Sequence, residues 1–173
     1  MNIVLIGYRC SGKTAVGKIV ASEMGRDFID TDALIEDNMG CSIAEIIPTK
    51  GWRCFREIEK GVIKKVSQKD KLVIATGGGV VKDEENLEHL KENGWTVWLH
   101  GEPEILKERM SKEKSSGRIR PSLTGTDPLE EIQQVLDVRR PLYEKAATFV
   151  IDTTALSPRQ VAVSIMKAIP EGL

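Results

Sequence analysis

Residues 7–14 read Gly-Tyr-Arg-Cys-Ser-Gly-Lys-Thr, a complete G-x-x-x-x-G-K-[ST] phosphate-binding loop. The apolar run Asn2–Ile6 predicts a buried strand directly before it, and apolar residues at helical spacing predict a helix from Lys13 to Met24. Such a loop needs both neighbours, because its backbone N–H groups and the positive end of the helix must converge on one phosphate. The sequence therefore predicts a nucleoside triphosphate site near its N-terminus.

Each residue type in the loop suits a triphosphate. Glycines allow the backbone to curl around phosphate oxygens, and the Lys13 ammonium is placed to reach the β- and γ-phosphates. The Thr14 hydroxyl is placed to ligate Mg²⁺. We expect ATP to be held by six consecutive residues: Cys10, Ser11, Gly12, Lys13, Thr14 and Ala15.

The charge balance and the cysteines limit the setting. The 173 residues carry 25 Lys and Arg against 26 Asp and Glu, a net charge of −1 that argues against a general nucleic-acid binder. No apolar run approaches the roughly 20 residues that span a bilayer, and the N-terminus does not resemble a signal peptide. Three cysteines without C-x-x-C spacing favour neither a disulfide framework nor a zinc ribbon. We expect a cytoplasmic protein with no membrane or nucleic-acid partner.

Strand and helix patterns alternate along the whole chain. They predict one domain over residues 1–173, with three α/β/α layers around a five-stranded parallel sheet. The predicted strands are Asn2–Ile6, Phe28–Asp30, Leu72–Thr76, Thr96–Leu99 and Phe149–Asp152. Apolar periodicity predicts further helices around residues 58–66, 83–93 and 103–110.

Capping signals and prolines predict helix boundaries. Helices are expected to begin at Ser42 with Glu45, at Asp127 with Pro128 and Glu130, and at Ser157 with Pro158 and Gln160. Pro48 is expected to end the first of these helices, and Pro141 to bend or interrupt the second. The polar stretch 111–125 has no helical pattern and is expected to form a mobile lid.

The chain lacks two motifs that are typical of ATPases and GTPases. In many ATPases and GTPases an acid ends an apolar strand and holds Mg²⁺, but the strand from Leu72 runs into Gly77–Gly79. The acids instead follow the second strand, as Asp30 and Asp32, and no Asn-Lys-x-Asp guanine reader is present. These features favour a small-molecule kinase with a second substrate above the sheet.

Taken one at a time, the other candidate residues have ordinary explanations. Arg56 and Glu59 could be a solvated helix pair, and Asp30 and Asp32 a turn and a helix cap. Arg139 could be a surface charge, and the glycine triplet only a turn. Residue type alone leaves these alternatives open.

Eight segments in order resemble the shikimate kinase family, and together they extend over nearly the whole chain. They are GYRCSGKTAVG, FIDTDALIE, SIAEI, FREIE, ATGGGVV, RPSL, RRPLYEKAA and IDTTALSP. The resemblance implies transfer of the ATP γ-phosphoryl group to the 3-hydroxyl of shikimate, with an acceptor region at about residues 32–60 and a lid at 111–125. Other readings are a gluconate- or nucleoside-monophosphate-type kinase, or a nucleotide-binding regulatory module without turnover.

The resemblance also implies roles for individual residues. Lys13, Asp32 and Arg120 are the catalytic candidates: Asp32 would accept the proton of the reacting hydroxyl, and Arg120 would reach the phosphates from the lid, with Arg118 a weaker candidate for a similar role. Thr14 and Asp30 would hold Mg²⁺, the latter through water. Arg56, Arg139 and the Gly78 backbone would bind shikimate, with Glu59 holding Arg56. Leu156, with Thr154 and Pro158, would pack on the adenine.

Two residues depart from the family pattern. Cys10 stands where the family commonly has glycine, so we expect the loop to avoid a conformation that only glycine adopts. Trp52 replaces an acid that is often found just before the Phe-Arg pair.

The expected partners are ATP and shikimate, and a monomer is expected.

Overall fold

One parallel sheet lies at the centre of the computed structural model, which describes residues 1–115, 122–127 and 129–171. Its order is β2-β3-β1-β4-β5, and every neighbouring pair is parallel. The strands are β1 (Asn2–Ile6), β2 (Asp27–Asp30), β3 (Leu72–Ala75), β4 (Gly94–His100) and β5 (Phe149–Asp152). All five predicted strands are confirmed.

Helices cover both faces of this sheet. Within the described residues they are α1 (Lys13–Met24), α2 (Thr31–Met39), α3 (Ile43–Ser67), α4 (Glu84–Glu92), α5 (Pro103–Ser115), α6 (Ile132–Ala146) and α7 (Pro158–Ala168). Ile3 and Leu5 of β1 belong to a core cluster shared with α1 and α7, whereas Val4 and Ile6 belong to one shared with α3 and α4. Because alternate strand residues point to opposite faces, the two clusters confirm the three-layer α/β/α architecture.

The topology leaves a crevice at the carboxyl ends of β1 and β3. The chain leaves β1 towards one side of the sheet, to β2, and leaves β3 across to the other side, to β4. Ligands of open α/β sheets bind where neighbouring connections diverge in this way. The phosphate loop follows β1 and the Gly77–Gly79 loop follows β3, so the fold brings the two loops together.

Helix α3 corrects the expectation that Pro48 ends a helix. Ser42 and Glu45 form the predicted capping box, but the helix continues past Pro48, and the break lies at Gly51, with φ 79° and ψ 163°. A proline removes only its own N–H bond, whereas a change of helix direction needs backbone angles that glycine adopts most easily. A second helical segment then runs to Ser67.

Two further boundaries differ from the prediction. Helix α6 begins at Ile132 rather than at Asp127, which instead closes a turn by accepting the backbone N–H of Leu129, and Pro128 lies outside the described residues. Pro141 lies inside α6 without interrupting it. Helix α5 runs to Ser115, so the first residues of the predicted lid are helical. A short 3-10 turn, Val80–Lys82, was not predicted.

In the part of the chain that the structure describes, no helix combines the length and apolarity needed to cross a membrane.

Candidate active site

The phosphate loop turns tightly against the end of β4. Gly7 has φ 145°, and a Cβ there would lie 2.5 Å from the carbonyl oxygen of Leu99. Gly12, with φ 97°, is the N-cap of α1, and the first turn of that helix, Lys13–Val16, contains no acid. The N–H groups and the positive end of α1 therefore face the loop without an internal carboxylate to compete with a phosphate.

Lys13 lies inside the loop and is almost fully buried. Its ammonium donates to the carbonyl oxygens of Gly7 at 2.9 Å and Tyr8 at 2.8 Å, and to the Ser11 hydroxyl at 3.4 Å. A buried ammonium requires such partners. The charge is thus held where the loop would curl around phosphate oxygens.

Cys10 adopts a backbone conformation that is uncommon for a residue other than glycine. Its φ is 63°, in the left-handed region that favours glycine but is not restricted to it. Cys10 reaches this region at a modest energetic cost.

Thr14 and Asp30 meet beside the loop. The Thr14 hydroxyl donates to Asp30 Oδ2 at 2.7 Å, while Asp30 Oδ1 accepts the N–H groups of Asp32 and Ala33 as the N-cap of α2. A hydroxyl and a carboxylate next to a phosphate loop are the hard oxygen donors that Mg²⁺ prefers. Among the described residues no group of three or more His, Cys, Asp or Glu side chains could hold a metal ion.

Asp32 lies against the glycine loop, close to a second carboxylate. A Cβ on Gly77 would lie 2.6 Å from Asp32 Oδ1 and 3.1 Å from Glu59 Oε1. The Gly77 N–H donates to the Thr31 hydroxyl, which fixes the loop over the start of α2. A larger residue at position 77 would therefore displace the Asp32 carboxylate and crowd that of Glu59.

Arg56 is held on several sides. Its Nη1 donates to Glu59 Oε2 at 2.6 Å, one turn further along α3. Its guanidinium carbon lies 5.4 Å from the Trp52 ring and 5.1 Å from the Phe55 ring. A Cβ on Gly79 would lie 2.4 Å from Nη2, so the guanidinium rests directly on the glycine loop. The predicted Arg56–Glu59 pair is confirmed, and it lies against the glycine loop with Glu59 buried rather than in solvent.

The Glu59 carboxylate is nearly inaccessible to solvent, with 1% exposure. Burial raises its pKa above the ordinary value for a glutamate, and the Arg56 charge and hydrogen bond oppose that change. Asp32 raises it further, in agreement with the proximity of the two carboxylates. The ionised form of Glu59 is therefore disfavoured by burial and stabilised by Arg56.

Arg139 reaches the same loop from α6. Its Nη1 donates to the Gly78 carbonyl oxygen at 3.0 Å, and the buried Tyr143 hydroxyl donates to that oxygen at 2.5 Å. Burial raises the pKa of Tyr143 to about 12, so this hydroxyl remains a donor at any physiological pH. The predicted residues Arg139 and Gly78 are thus in contact, and the carbonyl orientation of Gly78 is fixed by two donors.

The two loops of the crevice also touch. A Cβ on Gly78 would lie 3.3 Å from both the Gly7 carbonyl oxygen and the Arg9 amide nitrogen. The residues predicted for phosphates and those predicted for an acceptor therefore surround one volume. Arg118 and Arg120 lie outside the described residues.

On the far side of the phosphate loop, Leu156 packs against the core cluster of α1 and α7. The loop before it is held by Arg109, which donates to the carbonyl oxygen of Thr153 at 2.6 Å and to its hydroxyl at 3.1 Å. The Thr154 hydroxyl hydrogen-bonds Asp152 and the Glu102 amide. This loop lies at the ends of β4 and β5, where the resemblance puts the adenine.

Sequence reasoning missed four residues that the fold brings to this edge of the sheet. They are Arg9, Tyr143, Arg109 and Lys82, the last on the 3-10 turn directly after the glycine loop. Burial lowers the pKa of Lys82, and the charges of Arg139 and Arg56 lower it further, which identifies it as a neighbour of both arginines. The periodicity of Tyr143 indicates only a core residue. Arg9 occupies a position of the phosphate loop where the motif accepts any residue, and Arg109 and Lys82 lie outside the motifs.

A comparison with models of protein families identifies the family of this chain. The model of the shikimate kinase family matches residues 9–170. The chain belongs to the shikimate kinase family.

Similar proteins agree over the full length. A shikimate kinase of Thermodesulfovibrio yellowstonii is 45% identical over 166 residues, which cover 96% of this chain and 93% of that protein. One of Symbiobacterium thermophilum is 42% identical and covers 99% and 97%. Among solved structures, the shikimate kinase from Acinetobacter baumannii in complex with shikimate has a TM-score of 0.88 at 34% identity, covering 96% of this chain and 90% of that one.

Proposed function

We propose that the residues around Gly77–Gly79 bind shikimate and that the phosphate loop binds ATP. The reaction moves the γ-phosphoryl group of ATP to the 3-hydroxyl of shikimate, giving shikimate 3-phosphate and ADP. The observation that carries the assignment is the meeting of Asp32, Arg56 and Arg139 on one glycine loop that touches the phosphate loop. A phosphate site, a carboxylate base and two arginines are what this pair of substrates requires.

Arg56 and Arg139 bind the shikimate carboxylate in this proposal. A guanidinium matches a carboxylate through two parallel hydrogen bonds, and both groups are oriented before the ligand arrives. Glu59 fixes the angle of Arg56, and the Gly78 carbonyl fixes that of Arg139. The glycine loop lets the main chain approach the ring of the acceptor because no Cβ intervenes.

Asp32 and Lys13 act on the reacting atoms. Asp32 orients the 3-hydroxyl and accepts its proton as the oxygen attacks the γ-phosphorus in line with the departing ADP. Lys13 binds the β- and γ-phosphate oxygens and offsets the negative charge that builds up during transfer. The family resemblance assigns a second cation, Arg120, to the same phosphates.

Thr14 and Asp30 would hold Mg²⁺. The 2.7 Å contact between the hydroxyl and the carboxylate places two oxygen donors together at the start of α1. The ion, when bound, neutralises charge on the β- and γ-phosphates. Cys10, Ser11, Gly12 and Ala15 complete the phosphate contacts through the backbone, and Leu156 packs on the adenine.

The wider setting belongs to the same proposal. We infer a monomeric cytoplasmic enzyme with ATP and shikimate as its partners and no membrane or nucleic-acid ligand. Gluconate also carries a carboxylate and a nucleoside monophosphate a phosphate, so two arginines alone do not separate these acceptors from shikimate. Identities of 45% and 42% to shikimate kinases over nearly the whole chain favour shikimate. A regulatory module without turnover would not need Asp32.

Measurement of ADP release against a panel of acceptors tests the activity. We expect ADP release that depends on shikimate, and little release with gluconate, with nucleoside monophosphates or with no acceptor. Equal release with and without shikimate, or release driven by another acceptor of the panel, would overturn the assignment.

Substitution of Asp32 tests its role as the base. Asp32→Asn should lower kcat by about 100-fold or more while ATP still binds, because the amide keeps the shape but cannot accept the proton. Asp37→Asn, an exposed change on the same helix α2, is the matched control and should keep normal turnover. Normal turnover in Asp32→Asn would remove Asp32 from the mechanism.

A further inference from the structure

A buried carboxylate outside the described substrate contacts lies directly before α6. The Glu131 side chain has no solvent exposure and is the residue that precedes Ile132, the first of the helix. An ionised carboxylate is very unfavourable in such a place unless several donors surround it. Its partners therefore indicate what the residue holds together.

The first group of partners is one turn of the chain. Both Glu131 oxygens accept the Leu123 N–H, at 2.8 and 3.0 Å, and Oε2 also accepts the Thr124 N–H at 2.9 Å. The hydroxyls of Ser122 and Thr124 donate to the same oxygen, each at 3.0 Å. The Ser122 hydroxyl in turn accepts the N–H of Gly125. Glu131 thus supports the whole Ser122–Gly125 turn.

The second partner is in the phosphate loop. Arg9 Nη1 lies 3.8 Å from Glu131 Oε1, a separation that is electrostatic rather than a hydrogen bond, and the Arg9 side chain is only 10% exposed. The Arg9 backbone, with that of Gly7, lies next to Gly78. Because both charges are largely excluded from water, their attraction is weakly screened.

Packing joins the same three parts. Leu123 and Leu129 contact a core cluster that contains Tyr8 of the phosphate loop and Ile132 of α6. Arg9, Glu131 and Arg139 all act on the buried Tyr8 hydroxyl, whose pKa is raised mainly by burial. Glu131 is consequently a counter-charge inside the group of arginines beside the acceptor loop, as Glu59 is for Arg56.

We propose that Glu131 is a positioning residue for phosphoryl transfer, which holds Arg9 of the phosphate loop and the Ser122–Gly125 turn in one arrangement beside Gly78. The proposal rests on the proposed function, because its effect is read in kinase turnover. Displacement of the loop by a fraction of an ångström lowers the rate, since transfer depends on the alignment of the phosphorus with the attacking oxygen.

Glu131→Gln removes the charge and keeps the shape, and Glu130→Gln changes the exposed neighbour in the same way. We expect Glu131→Gln to lower kcat at least about tenfold, with a smaller change in the KM for ATP, and Glu130→Gln to remain within about twofold of the wild type. A normal kcat in a folded Glu131→Gln protein would overturn the proposal. Wild-type protein that is inactive with shikimate would instead overturn the proposed function.

A double-mutant cycle separates positioning from general stabilisation. If Glu131 acts through Arg9, the pair Arg9→Met and Glu131→Gln should lower kcat no further than Glu131→Gln alone. Multiplied effects would show that Glu131 does not act through Arg9 and would overturn this part of the proposal. If Glu131→Gln does not fold, Arg9→Met and Ser122→Ala each remove one partner, and normal kcat in both would contradict the role.

Discussion

The guanidinium of Arg56 faces two aromatic rings and one carboxylate, and each restricts it in a different way. Glu59 fixes one edge through a 2.6 Å hydrogen bond, while Trp52 and Phe55 contact it without taking up its hydrogen-bond donors. The two rings therefore hold the guanidinium in place while its other donors stay available to an acceptor carboxylate, the role proposed for Arg56.

Trp52→Leu tests this contact. A partly buried cation–π contact contributes about 1 kcal/mol, so we expect the KM for shikimate to rise about fivefold, with kcat and the KM for ATP changed less. Trp52→Phe, which keeps an aromatic face, should restore most of the affinity. Steady-state kinetics with each substrate varied in turn measures both effects, and an unchanged shikimate KM in Trp52→Leu would contradict the contact's role.

The raised pKa of Glu59 predicts how shikimate binding depends on pH. As the pH falls through that raised pKa, Glu59 takes up a proton and loses its ionic contact with Arg56, at a pH where exposed glutamates remain ionised. The KM for shikimate should therefore rise on acidification, and in Glu59→Gln it should be high at every pH.

Steady-state kinetics between about pH 5 and pH 8 at saturating ATP would show the rise of the shikimate KM with falling pH. Glu57→Gln, an exposed change on the same helix, should retain the wild-type dependence. A Glu59→Gln enzyme whose shikimate KM still rises at low pH would assign the titration to another group.

At the scale of elements, the break in α3 determines where the site residues point. Gly51, with φ 79° and ψ 163°, separates the capped first segment from the segment that carries Trp52, Arg56 and Glu59. The second segment can therefore lie at its own angle to the sheet, with its charged residues directed at Gly79. A straight helix from Ser42 would not have this freedom.

Gly51→Ala measures the importance of that break. Backbone angles of this kind are nearly restricted to glycine, so we expect the free energy of unfolding to fall by about 1–3 kcal/mol. Gly61→Ala is the matched control, because Gly61 lies within the helical part of α3 with no atom within 4 Å of an added Cβ. That change should raise stability by about 0.5–1 kcal/mol.

Chemical denaturation of the two variants compares them directly. Equal effects of the two substitutions would show that Gly51 does not need its unusual conformation.

Elements that depend on local patterns were predictable from the sequence, whereas those set by neighbours were not. Strands, the capping boxes at Ser42 and Ser157, and the Arg56–Glu59 spacing follow from short-range rules, and all are confirmed. The first part of α3 stops near Pro48 as predicted, but at Gly51, and α6 continues through Pro141, because a helix held by tertiary packing tolerates one missing hydrogen bond. Helix α6 starts at Ile132, directly after Glu131, whose side chain accepts hydrogen bonds from the Ser122–Gly125 turn. Apolar periodicity does not predict such a contact.

The same distinction holds for the site. Thr14 and Asp30 could be paired because a motif residue and a strand-end acid are brought together by parallel topology. The contact of Arg139 with Gly78 joins residues 61 positions apart. The family resemblance assigned both residues to the shikimate site but did not predict a hydrogen bond between them. Arg9 and Glu131 carry no motif, so only the folded chain shows their relation.

For the molecule as a whole, arginines near the candidate site are offset by neighbouring glutamates, in keeping with the near-neutral net charge. Two arginines beside the acceptor loop, Arg56 and Arg9, each have a buried glutamate, Glu59 and Glu131. The site therefore directs positive charge at its ligands without making the protein basic. The few large hydrophobic side chains exposed among the described residues, such as Val138, Val150 and Val163, come from different elements.

A monomer is the expected state of this molecule. Sedimentation velocity over a range of protein concentrations should give one species near the chain mass of 19.2 kDa. Full kinase activity at concentrations where only that species is present would support the prediction. A dimer that persists on dilution would contradict it.

Strand β2 is a four-residue edge strand that pairs with β3, and it is more exposed than the fully buried β1. Its last residue is Asp30, the proposed support of the nucleotide's metal ion. Edge strands open more often than central ones, so their amide hydrogens exchange faster with solvent. Occupation of the phosphate loop should slow exchange along β2, and this edge strand would then report on whether nucleotide is bound.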